Sequence, residues 1–307
     1  MSGPYWFPRL LLLFLISLEN PFFIFWVNLW GKDRQFRISK CRRLKFELPL
    51  IRQKSTLLKK ASNKQLTLLR KLRSRKYREQ EKLFIVEGER ALKQVLESKK
   101  VKLHSIFLEE HVTTDFSEAF FLDSALFDEV SNTENPQGVL GIFHIPNPIT
   151  IEELKKQKGV VVAVDAIQDP GNLGTIIRTA SWFNAVAFLS GKGTVDMFNP
   201  KVVRSTVGAT GAIPYLSLEL DESFQQLEES GWKVVLLDGN PGSIPIIEIP
   251  SSDKIILVVG NEANGISKSL ISPKRTRALI PASGDQNAVE SLNAAVALSI
   301  GLWHVNN

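Results

Sequence analysis

The chain of 307 residues is 44% hydrophobic and 23% charged, which excludes wholesale disorder and provides enough apolar residues for one or two cores. Its single cysteine, Cys41, excludes an intrachain disulfide and suits a reducing cytoplasm, where we expect the protein to be located. Its four histidines have no metal-ligand spacing, so no metal site is predicted, and its net charge of +6 is unevenly distributed.

Residues 1–31 form a strongly apolar N-terminal extension. Arg9, Glu19 and Pro21 divide it into two runs, each shorter than the roughly 20 apolar residues that a membrane-spanning helix needs. No small-residue cleavage site of the kind that ends a signal peptide follows these runs cleanly. We therefore expect an unstructured or non-functional extension and no membrane partner, with a membrane anchor as the alternative.

Residues 32–61 are rich in Lys and Arg without clear periodicity, which predicts a flexible basic arm. The wider segment 32–104 contains 24 Lys and Arg against 7 Asp and Glu, whereas residues 105–307 contain 13 against 24. So large a positive excess in one part of the chain predicts binding to a polyanion. A solvated basic surface without a ligand is the ordinary alternative, and the size of the excess disfavours it.

Residues 62–147 predict a small α/β domain. Helical sequence begins near Asn63, and a second helix places Ala91, Leu92, Val95 and Leu96 on one face. Short apolar runs predict strands at 83–88, 105–110, 119–124 and 138–145. The two prolines of "IPNPIT", residues 145–150, predict a linker to the next domain.

Residues 151–307 predict a second α/β domain built on a parallel sheet. Continuous runs of Val, Ile and Leu alternate with helices, which is typical of a parallel sheet covered on both faces. The predicted strands are 160–165, 185–189, 233–238 and 254–260, and the predicted helices are 151–157, 172–183, 200–209 and 291–305.

Polar stretches follow the strands of this second domain, at the sheet edge where such folds bind ligands. Taken singly, each stretch is explained by ordinary turns or a helix cap, and neither GxGxxG nor GxxxxGK[ST] occurs, which counts against a nucleotide-dependent oxidoreductase. Together they would crowd polar side chains at one rim in apolar surroundings, which predicts a functional site. These side chains are Asn172, Arg178, Glu262, Ser291 and Asn293.

The second domain resembles the SpoU (TrmH-like) branch of the SPOUT superfamily, whose members methylate ribose 2′-hydroxyls of RNA with S-adenosylmethionine. Three motifs carry this resemblance, in order along the chain. They comprise Asn172, Gly174 and Arg178 in "NLGTIIRTA", then Gly260, Asn261, Glu262 and Gly265 in "GNEANG", then Ile280, Pro281, Ser291, Leu292 and Asn293. Residues 63–145 also resemble the substrate-binding domain of this family.

The resemblance implies a parallel-sheet domain with a trefoil knot, preceded by a small L30e-like substrate-binding domain, in a homodimer. It implies an RNA (ribose-2′-O-)-methyltransferase with S-adenosylmethionine as cofactor. The cofactor-binding residues that it implies are Gly260, Asn261, Gly265, Ile280 and Leu292, and the catalytic residues are Arg178, Asn172, Glu262, Ser291 and Asn293.

The chemistry of the transfer suggests roles for these side chains. A 2′-hydroxyl is a weak nucleophile, so the site must share its proton and align it with the methyl group. We hypothesise that Arg178 does so together with an RNA phosphate, and that Asn172 binds the same ribose or holds Arg178. Ser291 and Asn293 would open the last helix and bind ligand there, and Glu262 would position Arg178 or a neighbouring backbone group.

The RNA partner is predicted from the basic regions and the domain layout. The basic arm and the stretch "RKLRSRKYR" would contact phosphates, and the two-domain layout resembles enzymes that act on rRNA more than those that act on tRNA. Alternatives are tRNA as substrate and a catalytically silent RNA-binding factor on the same scaffold. The sequence departs from the family pattern in a longer loop at 282–290 and in Ala282, where a methionine is usual.

Overall fold

A computed structural model describes residues 59–116, 118–283 and 291–307. The predicted N-terminal extension and most of the predicted basic arm, up to residue 58, lie outside the described residues, as does most of the longer loop, 284–290. In the described ranges, no helix combines the length and apolar character needed to cross a membrane. The last residues assigned to the arm belong instead to a sheet, because Lys59 and Lys60 pair with a neighbouring strand.

The first sheet has five strands in the order β1-β4-β3-β5-β2. The strands are β1 (Lys59–Lys60), β2 (Leu83–Glu87), β3 (Leu103–Glu109), β4 (Phe120–Leu122) and β5 (Val139–His144), and the helices are α1 (Asn63–Leu72), α2 (Arg75–Glu81), α3 (Glu89–Ser98) and α4 (Ser124–Val130). Strand β5 is antiparallel to both neighbours, whereas β1, β4 and β3 are parallel. The structure has a strand at each predicted run, and α4 is an addition.

The second sheet has seven strands in the order β10-β12-β9-β11-β6-β7-β8, and every pairing in it is parallel. Its strands are β6 (Gly159–Val164), β7 (Ala187–Ser190), β8 (Tyr215–Ser217), β9 (Lys233–Leu237), β10 (Ile244–Pro245), β11 (Lys254–Val259) and β12 (Thr276–Leu279). Its helices are α5 (Ile151–Lys155), α6 (Pro170–Trp182), α7 (Pro200–Ser205), α8 (Leu220–Glu228) and α9 (Ala294–Val305). The predicted parallel sheet is therefore confirmed.

The central strand β6 shows why these sequences carry uninterrupted apolar runs. Val160, Val162 and Val164 pack into the core beneath α6, α7 and α9, whereas Val161 and Ala163 pack into a second core beneath α5 and α8. Successive side chains of a strand point to opposite faces, so a strand covered on both faces needs apolar residues at every position.

Helix α7 is shorter than the predicted helix 200–209. It ends at Ser205, because Val207 and Gly208 adopt positive φ angles of 52° and 92°, which no right-handed helix contains. Helix α8 was not predicted, although Leu220, Phe224 and Leu227 have helical spacing and are buried. The short strands β8, β10 and β12 were also missed, since two to four residues carry too little periodicity.

The two sheets share one apolar core. Phe84 of β2 packs against Phe198, with ring centroids 5.1 Å apart, and Phe198 packs against Tyr215 of β8 at 5.3 Å. In addition, the linker residue Pro146 accepts a hydrogen bond from the Tyr215 hydroxyl. These contacts bury side chains of both sheets in the same cluster, and the linker is held against the second sheet.

A buried ion pair joins the sheets at the same place. Arg78 of α2 is 2% exposed, and its Nε and Nη2 atoms donate to Asp196 of the loop after β7 at 3.0 and 2.5 Å. Its Nη1 atom donates to the carbonyl oxygens of Leu72 and Arg73, both at 2.8 Å, at the end of α1. Arg78 therefore donates hydrogen bonds to the end of a helix and to an acidic side chain, and it is not available to RNA phosphate.

The other arginines of "RKLRSRKYR" are also bound to the protein. Arg70 donates to the Glu129 carboxylate at 2.7 and 2.9 Å, and Arg73 donates to the Glu129 carbonyl oxygen at 3.1 Å. Arg75 pairs with Glu79 at 2.7 Å. The hydrogen bond from Arg70 also lowers the pKa of Glu129 below its usual value. The prediction that the whole stretch contacts phosphate is therefore wrong for Arg78. Arg70 and Arg75 are shared with carboxylates, and Arg73 is shared with a carbonyl oxygen.

We predict that Arg78→Met lowers the free energy of unfolding by ~3–5 kcal/mol, because it leaves Asp196 and two carbonyl oxygens without their partner. Arg75→Met is the matched control on the same helix. It breaks an exposed ion pair and is expected to cost less than about 1 kcal/mol. Urea unfolding of both variants measures the difference. Equal costs would show that the Arg78 pair does not stabilise the joint between the sheets.

Candidate active site

The three polar stretches meet at one edge of the second sheet. They follow the carboxyl ends of β6, β11 and β12, and all strands of this sheet run parallel. Strands β6 and β11 are neighbours, and β12 is separated from β11 only by β9. With strands about 4.8 Å apart, the three ends are close enough to build one site. The topology thus provides the convergence that the sequence predicts.

The first stretch begins helix α6. The Asp169 side chain caps the helix by accepting a hydrogen bond from the Asn172 N–H at 2.7 Å, and Pro170 occupies the first helical position. A Cβ atom on Gly174 would lie 2.3 Å from the Cβ atom of Ser205 and 2.8 Å from the Val202 carbonyl oxygen. Gly174 therefore allows α7 to pack closely against α6, which keeps the start of α6 in place.

Three of the predicted catalytic residues are joined by hydrogen bonds. The Asn172 Nδ2 atom donates to Glu262 Oε1 at 2.8 Å, and Asn293 Nδ2 donates to Asn172 Oδ1 at 2.9 Å. Asn293 is the N-cap of α9, where its Oδ1 atom accepts from the Ala295 and Val296 N–H groups. One amide side chain thus connects the three segments, and the N-terminus of α9 is fixed beside α6.

The partner of Glu262 differs from the prediction. Glu262 holds Asn172, whereas the sequence suggested that it positions Arg178 or a backbone group. Likewise, both polar atoms of the Asn172 side chain bind Glu262 and Asn293, so Asn172 does not hold Arg178. Ser291 is exposed and precedes α9, which begins at Ala294.

Arg178 projects from a different side of α6. Six residues correspond to about 600° of rotation, so Arg178 points about 120° away from Asn172 and lies about 9 Å further along the helix. Its side chain is exposed, and within the described residues its guanidinium group has no hydrogen bond or ion pair. Arg178 therefore presents a cation without a partner among the described residues, on a different side of α6 from the Asn172 network.

The second stretch is a tight loop closed on itself. Asn261 and Gly265 exchange backbone hydrogen bonds of 3.0 and 2.9 Å, and Gly265 has a φ angle of 67°. The Asn261 Nδ2 atom donates to the carbonyl oxygen of Ala166 at 2.8 Å, which ties the loop to the end of β6. A Cβ atom on Gly260 would lie 2.4 Å from the Gly265 carbonyl group, so only glycine fits there.

Asp165 is a positioning residue that the sequence analysis missed. It is 6% exposed, and its Oδ2 atom accepts a hydrogen bond from the Ser267 N–H at 2.7 Å. This contact holds the far end of the 260–267 loop against β6. The available signal was an acidic residue directly after a buried strand, a position where an unpaired carboxylate would be costly.

The residues predicted to bind cofactor fit an adenosine-type ligand. Gly265 leaves open space where a Cβ atom would be, and Leu292, directly before Asn293, is 48% exposed. Ile280 follows β12 at the same edge and is partly exposed. Exposed apolar side chains can flank an adenine ring, and the open stretch of backbone beside them can form hydrogen bonds with the edge of that ring. In the described residues, no cluster of His, Cys, Asp or Glu is arranged to hold a metal ion.

Comparisons with known proteins agree with this geometry. Residues 159–303 match the SpoU rRNA Methylase family, and residues 63–141 match the MRM3-like substrate binding domain. The 23S rRNA (guanosine(2553)-2′-O)-methyltransferase RlmP of Bacillus subtilis is 32% identical over 252 residues, which cover 81% of this chain and 98% of that protein. The crystal structure of an AdoMet-bound rRNA methyltransferase from Sinorhizobium meliloti has 27% identity and a TM-score of 0.69, covering 81% of this chain and 96% of that one.

The fold and the three-segment site define an α/β protein of the methyltransferase type. The chain belongs to the SpoU rRNA methylase family. The family that the sequence motifs indicated is therefore confirmed.

We predict that Gly260→Ala abolishes S-adenosylmethionine binding, because the added methyl group would displace the Gly265 carbonyl from the loop. Gly231→Ala is the control. Gly231 has a φ angle of 86° and open space around it, and it precedes β9 at the opposite edge of the sheet. Gly231→Ala therefore measures the effect of backbone strain alone. Calorimetric titration measures binding, and circular dichroism checks that both variants fold. Normal binding by folded Gly260→Ala would exclude this loop from the cofactor site.

Proposed function

We propose that the protein transfers a methyl group from S-adenosylmethionine to a ribose 2′-hydroxyl of ribosomal RNA. The observation that carries this proposal is the hydrogen-bonded set Asn172, Glu262 and Asn293, which brings together segments 90 and 121 residues apart. Membership of the family confirms the class of enzyme and the cofactor expected from the sequence. Ribosomal rather than transfer RNA is supported by the relatives that match both parts of the chain.

Arg178 is proposed to orient the nucleophile. S-adenosylmethionine supplies a methyl group on a sulfonium centre, which an oxygen must approach in line. A free guanidinium holds its protons too tightly to act as a general base, but its fork of N–H donors can bind a phosphate and polarise a neighbouring hydroxyl. Arg178 is exposed on α6 and binds no other group in the part of the chain that the structure describes, so these donors can face RNA.

The Asn172 network is proposed to keep this site in one arrangement. Glu262 and Asn293 fix both polar atoms of the Asn172 amide, and one N–H of that amide remains for a ribose oxygen. The positive end of the α9 dipole, beside Ser291, can attract an anionic group such as a phosphate or the cofactor carboxylate, while Asn293 caps the Ala295 and Val296 N–H groups.

We propose that residues 62–147 bind the RNA. On α1 and α2, the Lys71 and Lys76 ammonium groups flank the Tyr77 ring at 5.3 and 5.9 Å from its centroid. The two cations can contact phosphate, and the aromatic ring can stack on an unpaired base. Lys71, Lys76 and Tyr77 therefore replace the arginines of the same stretch as the proposed RNA contacts, because those arginines bind carboxylates or carbonyl groups of the protein.

We propose that the protein is a homodimer that buries α6 and α9. Trp182 and Trp303 are 86% and 61% exposed, and Val296 on the same face of α9 is 47% exposed. Helices α6 and α9 pack together and are bonded at their first turns through Asn172 and Asn293. Each tryptophan lies ten residues further on, about 15 Å along its helix, near the C-terminal end of the packed helix pair. A monomer seldom exposes several large apolar side chains on one pair of helices, which favours their burial in an interface.

Three further features belong to this proposal. The knot and the L30e-like character of the first domain are proposed from the family pattern and from the mixed five-stranded sheet. The domain boundaries are proposed at 62–147 and 151–307, with the sheets as their centres. A cytoplasmic location is proposed because the single cysteine suits a reducing compartment.

We predict that Arg178→Lys lowers methyl transfer to rRNA at least about 100-fold and leaves the S-adenosylmethionine Kd within about twofold. Lysine keeps the charge but loses the planar fork that binds phosphate and hydroxyl together. Single-turnover transfer of a radiolabelled methyl group measures the first quantity, and calorimetry measures the second. Undiminished transfer would contradict the role of Arg178.

A wild-type protein that binds rRNA but not S-adenosylmethionine would be a silent RNA-binding factor instead.

For the dimer, we predict that the double variant Trp182→Ser, Trp303→Ser is a monomer by light scattering after gel filtration, because it removes the two largest apolar anchors of the interface. Ile271→Ser is the control. Ile271 is 40% exposed, and it follows a short helix that packs against α8, on the opposite face of the sheet. The control is expected to remain dimeric. A monomeric wild type, or a dimeric double variant, would exclude this interface.

A further inference from the structure

A second cleft lies at the same edge of the second sheet as the candidate active site. It has a volume of about 650 Å³ and is formed by the end of α2, the loop after β7 and the end of β8. Ligand pockets of proteins commonly have volumes of ~300–1,000 Å³. The cleft is therefore large enough for one nucleotide, and it lies where the two sheets face each other.

The wall of this cleft is directly connected to the active site. A Cβ atom on Gly193 of the cleft loop would lie 3.2 Å from the Cβ atom of Ala166. The Ala166 carbonyl oxygen in turn accepts the hydrogen bond of Asn261. The next contact along the loop is a hydrogen bond of 2.9 Å from the Val195 N–H to the Ile167 carbonyl oxygen. Only one layer of backbone thus separates the cleft from the loop that holds the predicted cofactor residues.

The rim of the cleft carries cations whose charge is available. Lys82 is exposed and has no ion pair among the described residues, and Lys192 is 87% exposed, with Glu219 at the long distance of 3.8 Å. Three carboxylates also line the cleft: Asp196 is neutralised by the buried Arg78, Glu79 pairs with Arg75, and Glu219 is the group near Lys192. The two lysines project from opposite sides, one from α2 and one from the loop after β7. They can therefore contact the same bound anion.

An aromatic ring also lines the cleft. Tyr215 is half-buried, and the buried Phe198 packs against its ring in an edge-to-face arrangement. Burial, together with the nearby Asp196 carboxylate, raises the pKa of the Tyr215 hydroxyl above its usual value, so this ring is neutral at physiological pH. An aromatic surface below a cationic rim is the combination that binds an unstacked base and its phosphate.

We propose that this cleft binds a nucleotide of the RNA substrate next to the one that is methylated, with its phosphate between Lys82 and Lys192 and its base against Tyr215. The inference rests on the proposed function, because it assigns a further contact to the same RNA. The Arg78–Asp196 pair joins α2 to the loop after β7, so a nucleotide held by both would also position the neighbouring ribose.

The test is the double variant Lys82→Glu, Lys192→Glu, with Lys233→Glu as the control. Lys233 is also exposed, but it lies at the start of β9, at the opposite edge of the sheet. Each protein is assayed for kcat and KM with an rRNA fragment, for S-adenosylmethionine Kd, and for RNA affinity at several salt concentrations.

We expect the double variant to raise KM for the RNA at least tenfold, with kcat at saturating RNA and the cofactor Kd unchanged within about twofold. The slope of log affinity against log salt should fall by about 1, because both lysines contact the same phosphate. Lys233→Glu should retain the wild-type values. A double variant that behaves like Lys233→Glu would overturn the inference while leaving the proposed function intact.

Two further outcomes separate the remaining explanations. A wild type that transfers no methyl group to RNA would contradict the proposed function. The salt-dependent binding measurement would still test the cleft in that case. Adenosine 5′-monophosphate serves as the second probe. If it binds to the cleft as tightly as the RNA fragment does, and the double variant loses that binding, the cleft is a site for a free nucleotide and the RNA assignment is overturned.

Discussion

The whole site depends on one constraint: strands that run parallel end at the same edge of a sheet. Residues after β6, after β11 and before α9 are far apart in sequence, and the second sheet brings them within hydrogen-bonding distance. The Asn172 amide uses this proximity, because it can donate to Glu262 and accept from Asn293 at once. A carboxylate or a hydroxyl in its place could not bridge the same two partners with the same geometry.

A second constraint is the packed and ion-paired joint between the two sheets. The aromatic contacts of Phe198 and the buried pair of Arg78 with Asp196 place the first sheet against the loop after β7. Breaking such a pair leaves a desolvated charge, which disfavours alternative arrangements of the two sheets. An RNA held by the first sheet would therefore meet the active-site edge of the second in one register. Positioning of this kind is a large part of catalysis when the chemical step needs in-line approach.

Much of the fold and the composition of the site could be predicted from the sequence. Uninterrupted apolar runs predicted the buried parallel strands, and the three motifs predicted that Asn172, Glu262 and Asn293 belong together. The six-residue spacing alone places Arg178 about 120° from Asn172 on α6. The partner of Glu262 could not be predicted, because it depends on which side of α6 faces the 260–267 loop, and Glu262 holds Asn172 instead of Arg178.

The errors have a common physical origin in tertiary contacts. Arg78 was assigned to RNA because its neighbours in sequence are basic, but it is buried by a loop more than 100 residues away. The end of α7 depends on positive φ angles at Val207 and Gly208, where Gly208 packs against α3. Asp165 was passed over because its partner, the Ser267 N–H, belongs to a distant loop. Local patterns carry no information on such partners.

The most direct measurement of the central claim is a double-mutant cycle between Asn172→Ala and Glu262→Ala, read out as single-turnover methyl transfer to rRNA. Residues that act through one hydrogen-bonded network should show a coupling energy of ~0.5–3 kcal/mol, so the double variant should lose much less activity than the product of the single losses. Additive effects, with a coupling energy below about 0.3 kcal/mol, would show that the two segments do not form one site.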